Sequence, residues 1–122
     1  AKLGSERAGQ LIEQALAQNW ESGLAALYGR CRSGDLRVQL AAAEKWLADH
    51  PDDGGLLLAL GRLCLRGQLW GKAQNYLEAS LSVESGHKAH FALAQLHEKL
   101  GKHELAMSHY NKGLELTLEH LS

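Results

Sequence analysis

Seven histidines occur in this chain of 122 residues, and three of them lie at positions from which they could act together. His90 follows His87 by three residues and His97 follows His90 by seven, which places all three on one side of a helix. Imidazole is a common ligand of zinc and of haem iron, so this spacing allows a metal or haem site. No carboxylate or cysteine completes a ligand set, and packed or solvated histidines explain the same pattern.

Other residue types with chemical potential give no catalytic pattern. The serines lie in no nucleophile-elbow context, and Cys31 and Cys64 lie in apolar helical patterns that are typical of small buried side chains in a reducing compartment. Glu44, Glu78 and Glu104 are each explained as parts of solvated helix faces. We therefore predict that the protein is not an enzyme and has no catalytic residue, no cofactor and no metal site. The alternative is a helical domain that binds haem, a porphyrin or a metal through His87, His90 and His97.

Composition and charge exclude two further classes. Thirteen Lys and Arg against fourteen Asp and Glu give a net charge of −1 without any block of like charge, so nucleic acid is not an expected partner. The longest apolar run, Leu56 to Leu60, is far too short to span a membrane. The sequence as given predicts a soluble chain that is folded throughout.

The apolar residues recur with helical periodicity, and the breaks between the periodic segments are chemically marked. Proline and aspartate at positions 50–53 end one helix and cap the next, and Gly67, Gly86 and Gly101 fall at turns. No strand-like alternation occurs between these marks. The pattern predicts seven helices, over about 6–18, 21–32, 36–49, 54–66, 69–83, 87–100 and 103–120.

An internal repeat relates the second half of the chain to itself. Leu60-Gly61 aligns with Leu93-Ala94, and Ala73 aligns with Ala106, both at a shift of 33 residues. A fixed period of this length with two helices in each unit is typical of stacked helical hairpins. An earlier unit aligns less well, because its turn at 33–35 is about two residues longer. We predict a single domain over 1–122, with a leftover helix at 6–19, a diverged repeat at 21–50 and repeats at 54–85 and 87–120.

The residues that carry this period resemble the tetratricopeptide repeat. The second unit has the characteristic positions Leu57, Leu60, Gly61, Cys64, Ala73, Leu77 and Ser80, and the third repeats them. The resemblance implies an all-α, right-handed superhelix. Departures include Ser80 and Gly113 where the repeat usually has alanine, and the missing tryptophan at the start of each unit.

Longer strings are similar to the C-terminal repeat region of the HemY family of bacterial inner-membrane proteins, which is associated with haem (porphyrin) biosynthesis. The most specific strings are Glu44-Lys45-Trp46-Leu47 and Leu69-Trp70-Gly71-Lys72-Ala73. The resemblance implies that this chain is a soluble fragment on the cytoplasmic face of that membrane, with membrane-spanning helices before it. It also implies a scaffold that organises haem-biosynthesis enzymes.

In a stack of such hairpins the first helix of each unit lines a concave face. Side chains off the buried stripes then form a basic groove with apolar patches, which predicts a protein or peptide partner that carries acidic groups beside apolar ones. A solvated basic surface without a partner explains the same residues. The asparagines of the carboxylate clamp in chaperone-binding relatives are absent, so chaperone tails are not expected. The predicted groove consists of Tyr28, Arg30, Leu58, Arg62, Leu65, Arg66, Lys88, Phe91, Gln95 and Lys99.

Both end helices carry apolar side chains that have no polar cap. Leu11 and Ile12 lie in the first helix, and Leu114, Leu118 and Leu121 lie in the last. Unpaired end faces of a repeat array favour association. A homodimer through either end is therefore a third possibility.

Overall fold

The computed structural model describes the backbone of residues 2–121 and the side chains of residues 7–121, so Ala1 and Ser122 of the predicted domain lie outside it. No β-strand occurs in this range, and the predicted all-α class is confirmed. The predicted order of helices is also correct, and most ends agree within a few residues. The helices are α1 (Lys2–Gln18), α2 (Ser22–Tyr28), α3 (Leu36–Leu47), α4 (Gly54–Arg66), α5 (Trp70–Val83), α6 (His87–Lys99) and α7 (His103–Leu121). None of these helices, over the described residues, has the length and apolar character needed to cross a bilayer.

Helix α2 ends four residues before its predicted end, because the chain after Tyr28 is held by a side chain from α3. The Gln39 amide nitrogen donates to the carbonyl oxygens of Cys31 and Tyr28, at 2.8 and 3.2 Å. Its carbonyl oxygen accepts the backbone N–H of Ser33. Gly34 then turns the chain with a φ of 69°, a conformation that glycine adopts readily. The longer turn expected at 33–35 is this loop.

Small residues set the spacing of the paired helices. Helix α4 pairs with α5 and α6 with α7 as antiparallel hairpins. A Cβ atom at Gly61 would lie 2.4 Å from Cδ2 of Leu77, and one at Gly113 would lie 2.4 Å from Cε1 of Phe91. The bulky side chain of one helix therefore occupies the space that the glycine of its partner leaves open.

Helix α4 is the centre of the core and is buried on two sides. Leu56, Leu60 and Leu63 pack with residues of α1, α2 and α3, whereas Leu58 packs with α5 and α6. A middle unit covered by the units before and after it explains why the run from Leu56 to Leu60 is apolar throughout.

The two cysteines are free and buried, as predicted. Cys64 lies on α4 and Cys31 lies in the turn after α2. Burial raises the pKa of the Cys64 thiol to about 11. The thiol therefore stays protonated at neutral pH, which suits a small core side chain.

The first hairpin is packed differently from the other two. Among the described residues, no Cα atom of α2 lies within 8 Å of a Cα atom of α3. The rings of Tyr28 and Trp46 fill the space between these helices, with centroids 4.9 Å apart. Helix α2 instead packs closely on α4. Helices α2, α4 and α6 thus form one layer, with α3, α5 and α7 behind it.

Candidate protein-binding groove

A groove runs along the layer formed by α2, α4 and α6. Its central cavity has a volume of about 530 Å³. A second cavity of about 460 Å³ lies toward the N-terminal ends of α4 and α6, and a third of about 340 Å³ lies toward their C-terminal ends. Because the central cavity shares lining residues with each neighbour, the three form one continuous depression.

The structure brings most of the predicted groove residues together. Lys99 lies in the C-terminal cavity. Leu58 touches the N-terminal cavity but is only 6% exposed, so it belongs mainly to the core. The residues in the central cavity are Arg30, Arg62, Leu65, Arg66, Lys88, Phe91 and Gln95.

Tyr28 does not line the groove, and its prediction as a groove residue is wrong. Its side chain is fully buried, its ring packs on Trp46, and its hydroxyl donates to a carboxylate oxygen of Glu13 on α1. Burial and the carboxylate of Glu13 raise the pKa of the phenol. The ring packs in the core with residues of α1, α3 and α4, and Arg30, two residues after the end of α2, has the exposed position instead.

Of the described residues, those that line the central cavity include several cations and no carboxylate. Among the described residues, Arg30, Arg62 and Lys88 form neither an ion pair nor a hydrogen bond. Burial and the positive charge of Arg30 lower the pKa of the Arg62 guanidinium. Arg62 is half-buried whereas Arg30 and Lys88 are exposed, and like charges gathered in one cavity make it attractive to an anion.

Arg66 has a second, structural role. Its guanidinium donates to the carbonyl oxygen of Cys31 at 3.2 Å and to the side-chain oxygen of Gln39 at 2.8 Å. Burial and Arg32 lower its pKa. Since Gln39 also holds the turn after α2, loss of the Arg66 side chain would disturb the fold as well as the groove.

Sequence reasoning missed several residues of the groove, and Trp70 is the largest of them. Trp70 lines the C-terminal cavity beside Leu65, and its ring packs partly on the second core cluster. Its indole N–H donates to no residue that the structure describes. The sequence feature that could have identified Trp70 is the apolar pair Leu69-Trp70, which comes directly after a turn. The residues missed in the central cavity are Gly29, His87 and Ala92.

The three predicted histidines do not form one site. His87 lies at the groove against Phe91, with ring centroids 5.9 Å apart. His90 and His97 instead face His109 on α7, which the sequence did not single out. The Nδ1 atoms of His90 and His109 are 3.0 Å apart, and the ring of His97 stacks on His109 at 5.4 Å.

This histidine cluster (His90, His97 and His109) joins α6 to α7. Burial and Lys112 lower the pKa of His90, and burial, His90 and His97 lower the pKa of His109. Both rings are therefore neutral at neutral pH. Within the described part of the chain, no three or more His, Cys, Asp or Glu side chains are placed to hold a metal ion.

The hairpins, their 33-residue period and the groove define a helical array of the tetratricopeptide type. No protein-family model and no curated protein matches the chain. Solved structures do match it. One is MamA MSR-1 in its C2 structure, with 20% sequence identity and a TM-score of 0.68. The alignment covers 96% of this chain and 70% of the MamA MSR-1 chain. Another is MamA AMB-1 in its P212121 structure, with 23% sequence identity and a TM-score of 0.61. This alignment covers 89% of this chain and 62% of the MamA AMB-1 chain. Both are tetratricopeptide-repeat proteins, so the likeness shows the fold.

Proposed function

We propose that the chain is a non-catalytic scaffold whose groove binds a segment of another protein that carries acidic and apolar side chains. The observation that supports this is the central cavity, in which Arg30, Arg62 and Lys88 lie beside Leu65 and Phe91, and no carboxylate of the described side chains lines it. Guanidinium groups bind carboxylates through paired hydrogen bonds, and apolar anchors supply most of the affinity.

The competing explanation is a basic surface that only keeps the protein hydrated. An arginine that only keeps the surface hydrated is exposed and can find a counter-ion there, as Arg37 does with a side chain 93% exposed and 3.8 Å from the carboxylate of Asp35. Arg62 is instead half-buried in a cavity beside a second arginine, Arg30. Removing its charge from water without a counter-ion is unfavourable, and a bound carboxylate would offset that penalty.

Affinity capture from a bacterial lysate tests the groove. The immobilised domain should retain proteins that the double variant Arg30→Glu with Arg62→Glu does not retain. Arg37→Glu is the matched control, because it reverses an exposed arginine on α3 outside the groove. Equal capture by all three proteins would refute the groove, provided that their thermal melts agree.

We further propose that the full-length protein is HemY-like, anchored in the bacterial inner membrane with this domain on the cytoplasmic face, and associated with late haem biosynthesis. The strings that carry this resemblance contribute a contact between α3 and α5. The carboxylate of Glu44 accepts from the Tyr76 hydroxyl at 2.7 Å and from the Lys72 ammonium at 3.0 Å. Mass spectrometry of the captured proteins tests the proposal, since late enzymes of haem synthesis should be among those lost in the groove variant.

A homodimer is a second candidate, favoured by the outer face of α7. Leu114, Leu118 and Leu121 are 54%, 64% and 76% exposed and follow one another at helical spacing. Light scattering over a range of concentrations should show self-association that Leu114→Glu with Leu118→Glu abolishes. A wild-type protein that stays monomeric throughout would exclude it.

A further inference from the structure

Charge is distributed unevenly along the groove. The N-terminal cavity contains Glu84 and the C-terminal cavity contains Glu98, which lies beside the cation Lys99 in sequence. The cavity between them contains Arg30, Arg62 and other cations, and no carboxylate from the side chains of residues 7–121 lines it. Attraction for an anion is therefore strongest in the middle of the groove and weaker at both ends.

The C-terminal cavity supplies a different kind of contact. Leu65 and the half-buried ring of Trp70 line it, and the indole N–H has no hydrogen-bond partner among the described residues. Tryptophan with an exposed face and a free donor is common at protein interfaces, because it buries a large apolar area and can still donate a hydrogen bond. This end of the groove suits a large apolar side chain whose own backbone carbonyl accepts from Trp70.

The spacing between these two places fits an extended segment. Leu65 follows Arg62 by three residues on α4, an axial rise of about 4.5 Å. Trp70 lies with Leu65 in the C-terminal cavity, whereas Arg62 lines the central one. Side chains on one face of an extended chain recur every second residue, about 6.6 Å apart. Helix α4 is about 20 Å long, which an extended segment of about six residues would cover.

We propose that the groove binds a two-point motif in an extended segment, in which an acidic side chain at Arg30 and Arg62 is followed two residues later by a large apolar side chain at Leu65 and Trp70. The inference rests on the proposed function of the groove and specifies its partner. Arg62 and Trp70 are then the residues that determine specificity for charge and for the apolar anchor.

Fluorescence anisotropy with labelled synthetic peptides tests the motif. The first peptide has Glu-Ser-Phe at its centre, flanked by serine and glycine to about eight residues. The second replaces Phe by Ser, the third places Phe directly after Glu, and the fourth replaces Glu by Lys. We expect the first peptide to bind about tenfold more tightly than each of the others, which is the effect of losing one good anchor.

Protein variants locate the two points. Arg62→Gln should weaken the first peptide about tenfold, and Trp70→Ala should remove its advantage over the second peptide, with Arg37→Gln as the unaffected control. If the acidic peptides bind equally well whatever the position or presence of Phe, and only Arg62→Gln weakens them, the motif is wrong and the acidic groove stands. If none of the acidic peptides binds, or Arg62→Gln changes nothing, the proposed function fails together with the motif. The peptide series remains decisive even if Trp70→Ala does not fold.

Discussion

The backbone of Gly29 packs directly on the backbone of Ala59, where a Cβ atom at 29 would lie 2.7 Å from Cα and 2.9 Å from the carbonyl oxygen. Backbone atoms of α4 cannot move aside as a flexible side chain can. We expect Gly29→Ala to lower the free energy of unfolding by about 1–3 kcal/mol, because it forces α2 away from α4. Urea unfolding followed by circular dichroism measures the change.

Gly71 provides the control for that substitution. It lies in the first turn of α5, and a Cβ atom there would meet nothing within 4 Å. Gly71→Ala should leave the free energy of unfolding unchanged or raise it by up to about 1 kcal/mol, since alanine is the better helix former. Equal effects at the two glycines would contradict the close approach of α2 and α4.

The core contribution of α4 is tested at Leu60, which is fully buried. Leu60→Ala should lower the free energy of unfolding by about 2–5 kcal/mol, through lost burial and the cavity that remains. Leu114→Ala, on the exposed face of α7, should change it by no more than about 0.5 kcal/mol. A thermal melt of Leu60→Ala that matches the wild type would show that the packing described for α4 is incorrect.

The helices could be predicted because their ends are encoded locally. Asp53 caps α4 by accepting the backbone N–H of Leu56, as the sequence indicated. Gly101 turns the chain after α6 with a φ of 74°. The early end of α2 could not be predicted, since it depends on Gln39, a residue of the next helix that satisfies carbonyl groups eight and eleven positions before it.

The groove could be predicted only in part, for a related reason. Helical spacing placed Arg62 and Leu65 on α4 and Phe91 on α6 correctly. The predicted direction of the Tyr28 side chain was wrong, because Glu13 on α1 and Trp46 on α3 determine where its ring lies. Trp70 joins the groove only because the start of α5 meets the end of α6, a tertiary contact that no periodicity reveals.

The histidine cluster predicts a loss of stability in mild acid. The pKa values of His90 and His109 lie below 6.5 in the folded protein and return to about 6.5 on unfolding. The unfolded chain therefore binds more protons below that pH, so the stabilisation is complete above about 6.5 and is lost as the pH falls through the folded values. Urea unfolding at pH 7.5 and in steps below pH 6.5 should show this decline.

Two variants separate the cluster from other titrating groups. His109→Gln removes the contact between Nδ1 of His90 and Nδ1 of His109, and should flatten the decline in stability. His120→Gln, at an exposed position near the end of α7, should retain the wild-type decline. Parallel pH profiles for the wild type and His109→Gln would assign the decline to other residues.

The carboxylate of Asp53 joins the start of α2 to the start of α4. It accepts hydrogen bonds from the Trp20 indole and the Ser22 hydroxyl, both at 2.7 Å, and from the backbone N–H of Leu56 at 2.9 Å. Burial alone would raise the pKa of Asp53, but these hydrogen bonds outweigh it and lower the pKa. Asp53→Ala should lower the free energy of unfolding at pH 7 by about 1–3 kcal/mol, through loss of the cap and of the partners of Trp20 and Ser22.

The pH dependence distinguishes the charged acceptor from a simple cap. Because the pKa of Asp53 is depressed in the folded state, its contribution is complete above the unfolded value near 3.8 and is lost as the pH falls through the folded value. The stability difference between wild type and Asp53→Ala should therefore narrow on acidification. Asp53→Asn keeps the oxygen that caps α4, but its amide nitrogen cannot accept the hydrogen bond from the Trp20 indole. Because one of the contacts is kept, Asp53→Asn should lower the free energy of unfolding at pH 7 by less than Asp53→Ala does. An Asn variant as unstable as the Ala variant would show that the hydrogen bond to the α4 backbone contributes little.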